Sequence, residues 1–503
     1  MLDLALLTCI HYQETHVGTL PFSDDEPLPA VIQNVSISVV PEFDAVAASE
    51  TKDDFKVLIR LRAPPLSEDV RRAPIDLVMV LDVSDSMRDC SKLALVKRAA
   101  SFVIDQLGPS DRLSIVSFQN VADRNLPLLR MTEQGHDDAK QAVNRLYAHG
   151  GTNIVKGLTI GAQVLEERLH RNPVVSILLL SDGQDNCNGN LRTRQASEYL
   201  PASIVRGTDN CHQTIPVHAF GFGSDHDPLV MHAIADISGG TFSFIESYEL
   251  VQDAFARCIG GLLSVVVREL RLSLRSASEG VGIKSIPSGK HASEISNQES
   301  RGTIAVGDLY ADEEKEFLVN ISVPVYANYD EDEQKMRTTP LWDVTCSYMD
   351  ELSNARVQIE SVEIRRPGVP LPCDVKLKLE VDRQKNRLDA VDGLAEAQRV
   401  AETGDLEGAR DILSKRILSV KASASSQAGD GLLLKLEDEM KKTEEKMGCK
   451  ATYEQAGRAY ALSSISSHAN QRATTTGSGN DAYVTPNMAN MLIKLEKVKT
   501  EKC

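Results

Sequence analysis

The feature that most constrains the fold is one apolar run, which begins at Ile75 and ends in the carboxylate of Asp82. A run this continuously apolar is typical of a strand that is buried on both faces of a parallel sheet. Ser84 and Ser86 follow the run at alternate positions. Residues just past the carboxyl ends of parallel strands face the crevice where open α/β sheets bind ligands. The sequence therefore predicts three oxygen donors, from Asp82, Ser84 and Ser86, on one tight loop.

Two further polar residues are predicted to reach the same edge of the sheet. Thr152 follows a Gly-Gly turn, and Asp182 comes just after a second apolar run, residues 174–180. Together with the first three residues they offer two carboxylates and three hydroxyls, without histidine or cysteine. Oxygen ligands of this kind suit a hard cation such as Mg²⁺, which usually keeps several water molecules. We therefore expect a magnesium site that a carboxylate from outside the chain can complete.

The rest of the chain is predicted to frame this site. Apolar strands alternate with amphipathic helices over residues 73–262, which predicts a doubly wound, mostly parallel α/β sheet with helices on both faces. Two strands within residues 31–72 need partners elsewhere, because two strands alone are only marginally stable. We expect them to join an antiparallel β-sandwich formed by residues 263–370, with the α/β unit inserted between. Residues 1–30 are predicted to be a flexible segment, and residues 371–503 a helical C-terminal region.

The composition restricts the partners and the compartment. A formal net charge of −17 disfavours nucleic acid and anionic membrane surfaces, since binding to either needs basic patches. No apolar run reaches the 18 residues expected of a membrane span. The nine cysteines are scattered without a C-x-x-C pair, and the N-terminus carries Asp3 where a secretory signal has Lys or Arg. We therefore expect an intracellular, cytoplasmic protein with free thiols.

The five oxygen-bearing residues resemble a known ligand set. The pattern is similar to the metal-ion-dependent adhesion site (MIDAS) of von Willebrand factor type A domains, filled here by Asp82, Ser84, Ser86, Thr152 and Asp182. The resemblance covers roughly residues 74–260. It implies that Mg²⁺ or Mn²⁺ is the ion, and that an Asp or Glu of a protein partner supplies the last ligand.

One residue departs from the family pattern. Asp85 lies where these domains usually have glycine. The carboxylate is either an ordinary surface group or a charge that tightens cation binding and weakens recognition of an acidic partner. The sequence leaves both interpretations open.

Residues 220–228 and 238–242 resemble a plant group of A-domain proteins. Members of this group carry a β-rich domain and helices after the A domain, and many begin with a RING finger and act as ubiquitin ligases in growth control. A RING needs eight Cys or His ligands in paired spacing. The sequence before the A domain here holds Cys9, His11 and His16. The resemblance therefore implies a truncated or RING-less member of this group, and ligase activity is not carried over.

Three functions remain as hypotheses. The sequence contains no Ser nucleophile elbow and no Gly-rich phosphate loop, so we do not expect an enzyme. The leading interpretation is a metal-dependent protein-binding module, of the adhesion or scaffold type. The alternatives are a RING-less component of a ubiquitin-ligase system, which recruits substrates or dimerises with RING-bearing relatives, and a structural protein with a non-functional metal site.

Overall fold

The computed structural model of the chain describes residues 34–66, 72–189, 191–206, 214–247, 250–326, 337–350, 354–475 and 482–501. The segment that was predicted to be flexible, residues 1–30, lies outside these ranges. In the described part, the strands form three sheets of four, five and six strands.

Strands and helices alternate in the first half of the chain, and the last part is helical. In chain order the strands are β1 Ser36–Pro41, β2 Lys52–Arg62, β3 Ile75–Asp82, β4 Arg112–Phe118, β5 Ala122–Arg130, β6 Val174–Ser181, β7 Val217–Phe222, β8 Phe242–Ile245, β9 Val265–Ser276, β10 Gly282–Ser285, β11 Ala292–Ile295, β12 Arg301–Tyr310, β13 Glu314–Val323, β14 Thr338–Asp350 and β15 Ala355–Arg365. The helices are α1 Lys92–Gln106, α2 Glu133–Arg145, α3 Ile154–Glu166, α4 Pro228–Ser238, α5 Val251–Leu262, α6 Leu379–Glu402, α7 Leu406–Ala422, α8 Ala424–Gln427, α9 Gly431–Lys446, α10 Lys450–Thr452, α11 Arg458–Asn470 and α12 Pro486–Glu501.

The six-stranded sheet has the order β5-β4-β3-β6-β7-β8 and is parallel except for β5, which pairs antiparallel with β4 at one edge. Every residue of β3 and β6 is buried, as expected of central strands that carry helices on both faces. Helices α1, α2, α5 and α12 cover one face, and α3, α4 and α11 cover the other. This arrangement confirms the predicted doubly wound, mostly parallel α/β fold class.

Two strands were not predicted from the sequence pattern. The edge strand β5 contains Pro127 and exposes most of its residues, so it lacks the apolar run that marks a central strand. Strand β11 has only four residues, which is too short for an alternating pattern to stand out. Both strands lie at a sheet edge, where burial constrains the sequence least.

Helix α11 lies in the region predicted to be helical, but the sequence pattern did not single it out, nor the short helices α8 and α10. It is rich in serine and is buried all round, from Ala459 to Ala469. Its hydroxyls satisfy the outer edge of strand β8: the backbone N–H of Phe242 donates to Ser466 Oγ at 2.9 Å, and that of Phe244 donates to Ser463 Oγ at 3.3 Å. A helix that covers a sheet edge with hydroxyl groups has no apolar stripe for sequence periodicity to detect.

The remaining two sheets are antiparallel and share one apolar core, in which Phe55, Phe317 and Trp342 are fully buried. Their orders are β1-β2-β13-β10 and β11-β12-β9-β14-β15. Strand β2 pairs with β13 along its length, so strands that precede and follow the α/β part in the sequence lie side by side. The predicted antiparallel sandwich is thus present, and the division of the chain at residues 73 and 262 remains our proposal.

The C-terminal helices pack on both folded parts. Val381 of α6 contacts Leu58 and Leu318 on the outer face of the β1-β2-β13-β10 sheet, and α6, α7 and α9 share a core of their own. Met488 and Met491 of α12 lie in the core of the α/β sheet, next to α5. No helix in the described ranges is long and apolar enough to cross a bilayer.

Candidate metal centre

The predicted ligands lie on three neighbouring loops at the carboxyl edge of the α/β sheet. Asp82 is the last residue of β3, and Asp182 directly follows β6, the neighbouring parallel strand. Thr152 lies two positions before the first residue of helix α3. Because parallel strands end at the same edge, the chain brings these loops together from positions up to 100 residues apart.

Asp82 is fully buried and is held by hydrogen bonds alone. The backbone N–H of Ser84 donates to its Oδ1 at 2.8 Å, and the Ser181 hydroxyl donates to its Oδ2 at 2.6 Å. No cationic side chain in the described ranges forms an ion pair with this carboxylate. Burial raises the pKa of Asp82 to about 7, although hydrogen bonds from Ser181 and Ser84 lower it. A buried carboxylate without a counter-ion is what a bound cation would stabilise.

The other predicted ligands form a connected chain of oxygen atoms. Ser84 Oγ lies 3.0 Å from Ser86 Oγ, and Ser86 Oγ donates to Asp182 Oδ1 at 2.8 Å. Thr152 approaches this group at Gly183. A β-carbon at Gly183 would lie 3.1 Å from Thr152 Oγ1 and 3.7 Å from Ser86 Oγ. Glycine at this position therefore lets the loops approach, and all five predicted residues lie together.

A frame of amide side chains, which was not predicted from the sequence, positions Thr152. The backbone N–H of Thr152 donates to Asn186 Oδ1 at 3.0 Å, and that of Gly151 donates to Asn120 Oδ1 at 2.9 Å. Asp185 accepts a hydrogen bond of 2.9 Å from the first backbone N–H of α3. The cluster of short polar residues that follows Asp182 in the sequence is the signal that could have identified this frame.

Lys92, the first residue of α1, also belongs to the site but was not predicted from the sequence. Its ammonium lies 2.6 Å from Asp182 Oδ2, and only 5% of the Lys92 side chain and none of the Asp182 side chain is exposed. The site thus holds two carboxylates but one ammonium, and that ammonium neutralises Asp182 rather than Asp82. An oxygen-only donor set with one uncompensated buried carboxylate fits Mg²⁺ or Mn²⁺.

Asp85 points away from the buried carboxylates. Its side chain is 60% exposed and lies 3.1 Å from the guanidinium of Arg88, and its backbone N–H donates to the carbonyl oxygen of Gly150 at 2.9 Å. Solvent and Arg88 both screen the carboxylate. These contacts favour the interpretation of Asp85 as an ordinary surface group.

Comparison with known proteins identifies the α/β part of the chain. Residues 75–244 match the family model described as von Willebrand factor type A domain, and residues 430–497 match one described as VWA / Hh protein intein-like. A solved von Willebrand factor type A structure from Catenulispora acidiphila has a TM-score of 0.60 at 18% identity, over 85% of this chain and 91% of that one. The ArnB paralog VWA2 from Sulfolobus acidocaldarius has a TM-score of 0.51 at 17% identity, over 86% and 99%. At these identities the likeness shows the fold alone.

Two curated plant proteins are similar over most of the chain. The E3 ubiquitin-protein ligase WAV3 of Arabidopsis thaliana is 33% identical over 415 residues, which are 79% of this chain and 51% of that protein. The probable E3 ubiquitin-protein ligase WAVH2 of the same plant is 28% identical over 435 residues, which are 82% of this chain and 54% of that protein. The chain thus spans about half the length of the curated relatives it matches.

The fold and the family model define the chain as an α/β protein that contains a von Willebrand factor type A domain. It is related to WAV3 and to the WAVH proteins of Arabidopsis, which confirms the predicted resemblance to the plant group of A-domain proteins.

Proposed function

We propose that the chain is a metal-dependent protein-binding module. The observation that carries this proposal is the convergence of the two carboxylates and three hydroxyls of Asp82, Ser84, Ser86, Thr152 and Asp182 at one edge of the sheet. Mg²⁺ or Mn²⁺ would be held by these oxygens, and the ion would supply a Lewis-acidic position for a carboxylate of the partner.

Neighbouring residues of the chain orient the predicted metal ligands. Ser181 and the Ser84 backbone orient the Asp82 carboxylate, while Lys92 orients that of Asp182. Asn186 holds the backbone of Thr152, whose hydroxyl borders Gly183, as does that of Ser86. Such a prearranged set of hard oxygen donors favours recognition of a cation with little rearrangement of the loops.

Replacing Asp82 with alanine is expected to abolish both Mg²⁺ binding and metal-dependent partner capture. The substitution removes a buried carboxylate that no other described group replaces. Isothermal titration calorimetry with Mg²⁺ and with Mn²⁺ measures the first effect. The second is measured by comparing the proteins that wild type and Asp82→Ala capture from plant extract, in Mg²⁺ and in EDTA.

Asp123→Ala is the matched control, because Asp123 is an exposed aspartate on β5 in the same sheet. It should bind Mg²⁺ and partners as wild type does. Capture that is equal in Mg²⁺ and in EDTA would refute metal-dependent binding. Mg²⁺ binding without any metal-dependent partner would refute the binding function while leaving the metal site in place.

A second candidate function is a role in a ubiquitin-ligase system. It is supported by the similarity to WAV3 and WAVH2, which are named as a ligase and a probable ligase, over about half of their lengths. The chain would then recruit substrates or dimerise with RING-bearing relatives. Co-precipitation with such a relative, followed by a ubiquitination assay with and without this chain, tests the idea. Unchanged substrate modification in the presence of the chain would contradict it.

We further propose that the chain acts inside the cell. The five cysteines that the described ranges place as free thiols are Cys187, Cys258, Cys346, Cys373 and Cys449, and free thiols are typical of a reducing compartment. Cell fractionation with an antibody to the native protein tests this location.

A further inference from the structure

A cavity of about 440 Å³ lies where the α/β sheet, the sandwich and the end of helix α11 meet. Its walls come from the first residues of β6, from the end of α4, and from β9 and β12. Strand β6 begins at this cavity with Val174 and ends beside the candidate metal centre. The cavity is therefore at the opposite edge of the sheet from that centre and is a separate site.

The lining of the cavity is cationic, although the whole chain is strongly acidic. Five basic side chains line it, from Arg206, Arg271, Lys290, Lys315 and Arg472, against the two carboxylates of Glu269 and Asp308. Two carboxylates outside the lining reduce the excess of positive charge. That of Asp236 neutralises Lys290, and that of Glu313 pairs with both Lys315 and Arg472. One positive charge remains in excess, in a chain whose formal net charge is −17.

Two of these cations form no ion pair with a carboxylate of the described residues. Arg206 and Arg271 are exposed at the cavity, and neither forms an ion pair within the described ranges. Arg206 donates to the carbonyl oxygen of Lys290, at 3.1 Å. Guanidinium groups bind phosphates and carboxylates with paired hydrogen bonds, so both side chains are suited to hold an anion at this cavity.

A neutral polar residue, His291, lies in the wall of the same cavity. The Nε2 atom of His291 is buried and has no hydrogen-bond partner in the described part of the chain. Burial and the charges of Lys315 and Arg472 lower the pKa of His291 to about 3, so the ring is neutral at pH 7. The ring therefore adds no positive charge to the lining of the cavity.

We infer that this cavity binds a small organic polyanion that carries at least two phosphate or carboxylate groups. The volume lies in the range of small-molecule pockets, which bury most of a ligand on all sides. A macromolecule would need an open surface, whereas this cavity is walled by three parts of the fold. The inference does not depend on the proposed metal-dependent function.

The test is calorimetric titration of the whole chain in metal-free buffer, after bound cations have been removed on a chelating resin, so that the metal centre takes no part in the experiment. The probes are pyrophosphate, inositol hexakisphosphate and citrate. We expect saturable binding of at least one probe, and the affinity should fall as NaCl rises because salt screens the charges. Stronger binding of the phosphate probes would identify a phosphorylated ligand, and stronger binding of citrate a polycarboxylate; both outcomes support the polyanion site.

The double variant Arg206→Gln/Arg271→Gln should bind at least about tenfold more weakly, since it loses two charge-assisted contacts. Both residues are exposed, so its melting temperature without ligand should match that of wild type. Arg301→Gln is the control, because Arg301 is an exposed arginine on β12 outside the cavity and should leave affinity unchanged. Equal affinity of wild type and the double variant would overturn the assignment, as would dissociation constants above about 1 mM for all three probes.

Discussion

Lys92→Met is expected to destabilise the metal-free protein by about 3–5 kcal/mol, because it leaves Asp182 as a buried charge without its partner. The ammonium and the carboxylate are both almost fully buried, so solvent screens neither of them. Methionine has a similar length and keeps the packing of the aliphatic chain. The loss of stability therefore measures the effect of the missing charge rather than that of a cavity. The free energy of unfolding in EDTA, from urea denaturation, measures the effect.

Mg²⁺ should restore most of this loss. In wild type the Lys92 ammonium opposes a cation at the same carboxylate, and the variant removes this repulsion. Mg²⁺ affinity is therefore expected to rise about tenfold, and by linkage the stabilisation from saturating Mg²⁺ becomes larger in Lys92→Met than in wild type. Thermal melting with increasing Mg²⁺ compares the two proteins directly.

Lys97→Met is the matched control. Lys97 lies on the same helix but donates to the carbonyl oxygen of Asn144 at the surface, with no carboxylate partner among the described residues. It should change the free energy of unfolding by less than about 0.5 kcal/mol and leave the effect of Mg²⁺ unaltered. Equal stabilisation by Mg²⁺ in wild type and in Lys92→Met would show that Lys92 plays no part in the cation site.

The residues of the site that could be predicted are those that a local sequence pattern marks. Asp82, Ser84 and Ser86 are adjacent in sequence, at the end of an apolar run. Asp182 could be placed beside them because it follows a second such run, and parallel strands end at one edge. Their role as metal ligands remains a prediction, because it depends on an ion that Mg²⁺ titration has to detect.

The residues that were missed act over distances that the sequence does not reveal. Lys92 is one of many lysines on amphipathic helices, and only the approach of β6 to α1 makes it a partner of Asp182. The serines of helix α11 form no apolar stripe, because they accept hydrogen bonds from backbone N–H groups of strand β8, more than 200 residues earlier. Sequence periodicity detects apolar faces, and neither the Lys92–Asp182 ion pair nor the serine-rich helix α11 presents such a face.

Sequence periodicity also does not reveal a buried charge cluster that joins the C-terminal segment to the sandwich. Glu313 is buried and lies 2.8 Å from both the Lys315 ammonium and the guanidinium of Arg472. It also accepts a hydrogen bond of 2.8 Å from the backbone N–H of Tyr310, and the Arg472 guanidinium stacks 4.1 Å from the centre of that ring. The cluster therefore fixes the residues that follow α11 against β12 and β13.

Glu313→Gln is expected to lower the free energy of unfolding by about 3–5 kcal/mol at pH 7, since it leaves two buried cations without a counter-ion. Burial alone would raise the pKa of Glu313, but the charges of Arg472 and Lys315 lower it to about 2, from an ordinary value of 4.5. The stability from a depressed carboxyl pKa is complete above 4.5 and is lost as the pH falls through 2. The difference between wild type and Glu313→Gln should therefore shrink as the pH falls below 4.5.

Urea denaturation at several pH values measures this difference, with Glu314→Gln as the control. Glu314 is the next residue on β13, but its side chain is 52% exposed, so its substitution should change stability by less than about 0.5 kcal/mol at every pH. A loss in Glu313→Gln that is equally large at pH 7 and at pH 3 would mean that packing, rather than charge, explains the effect. A loss that declines with pH would show that one buried carboxylate holds the C-terminal segment on the sandwich, through two cations that also line the cationic cavity.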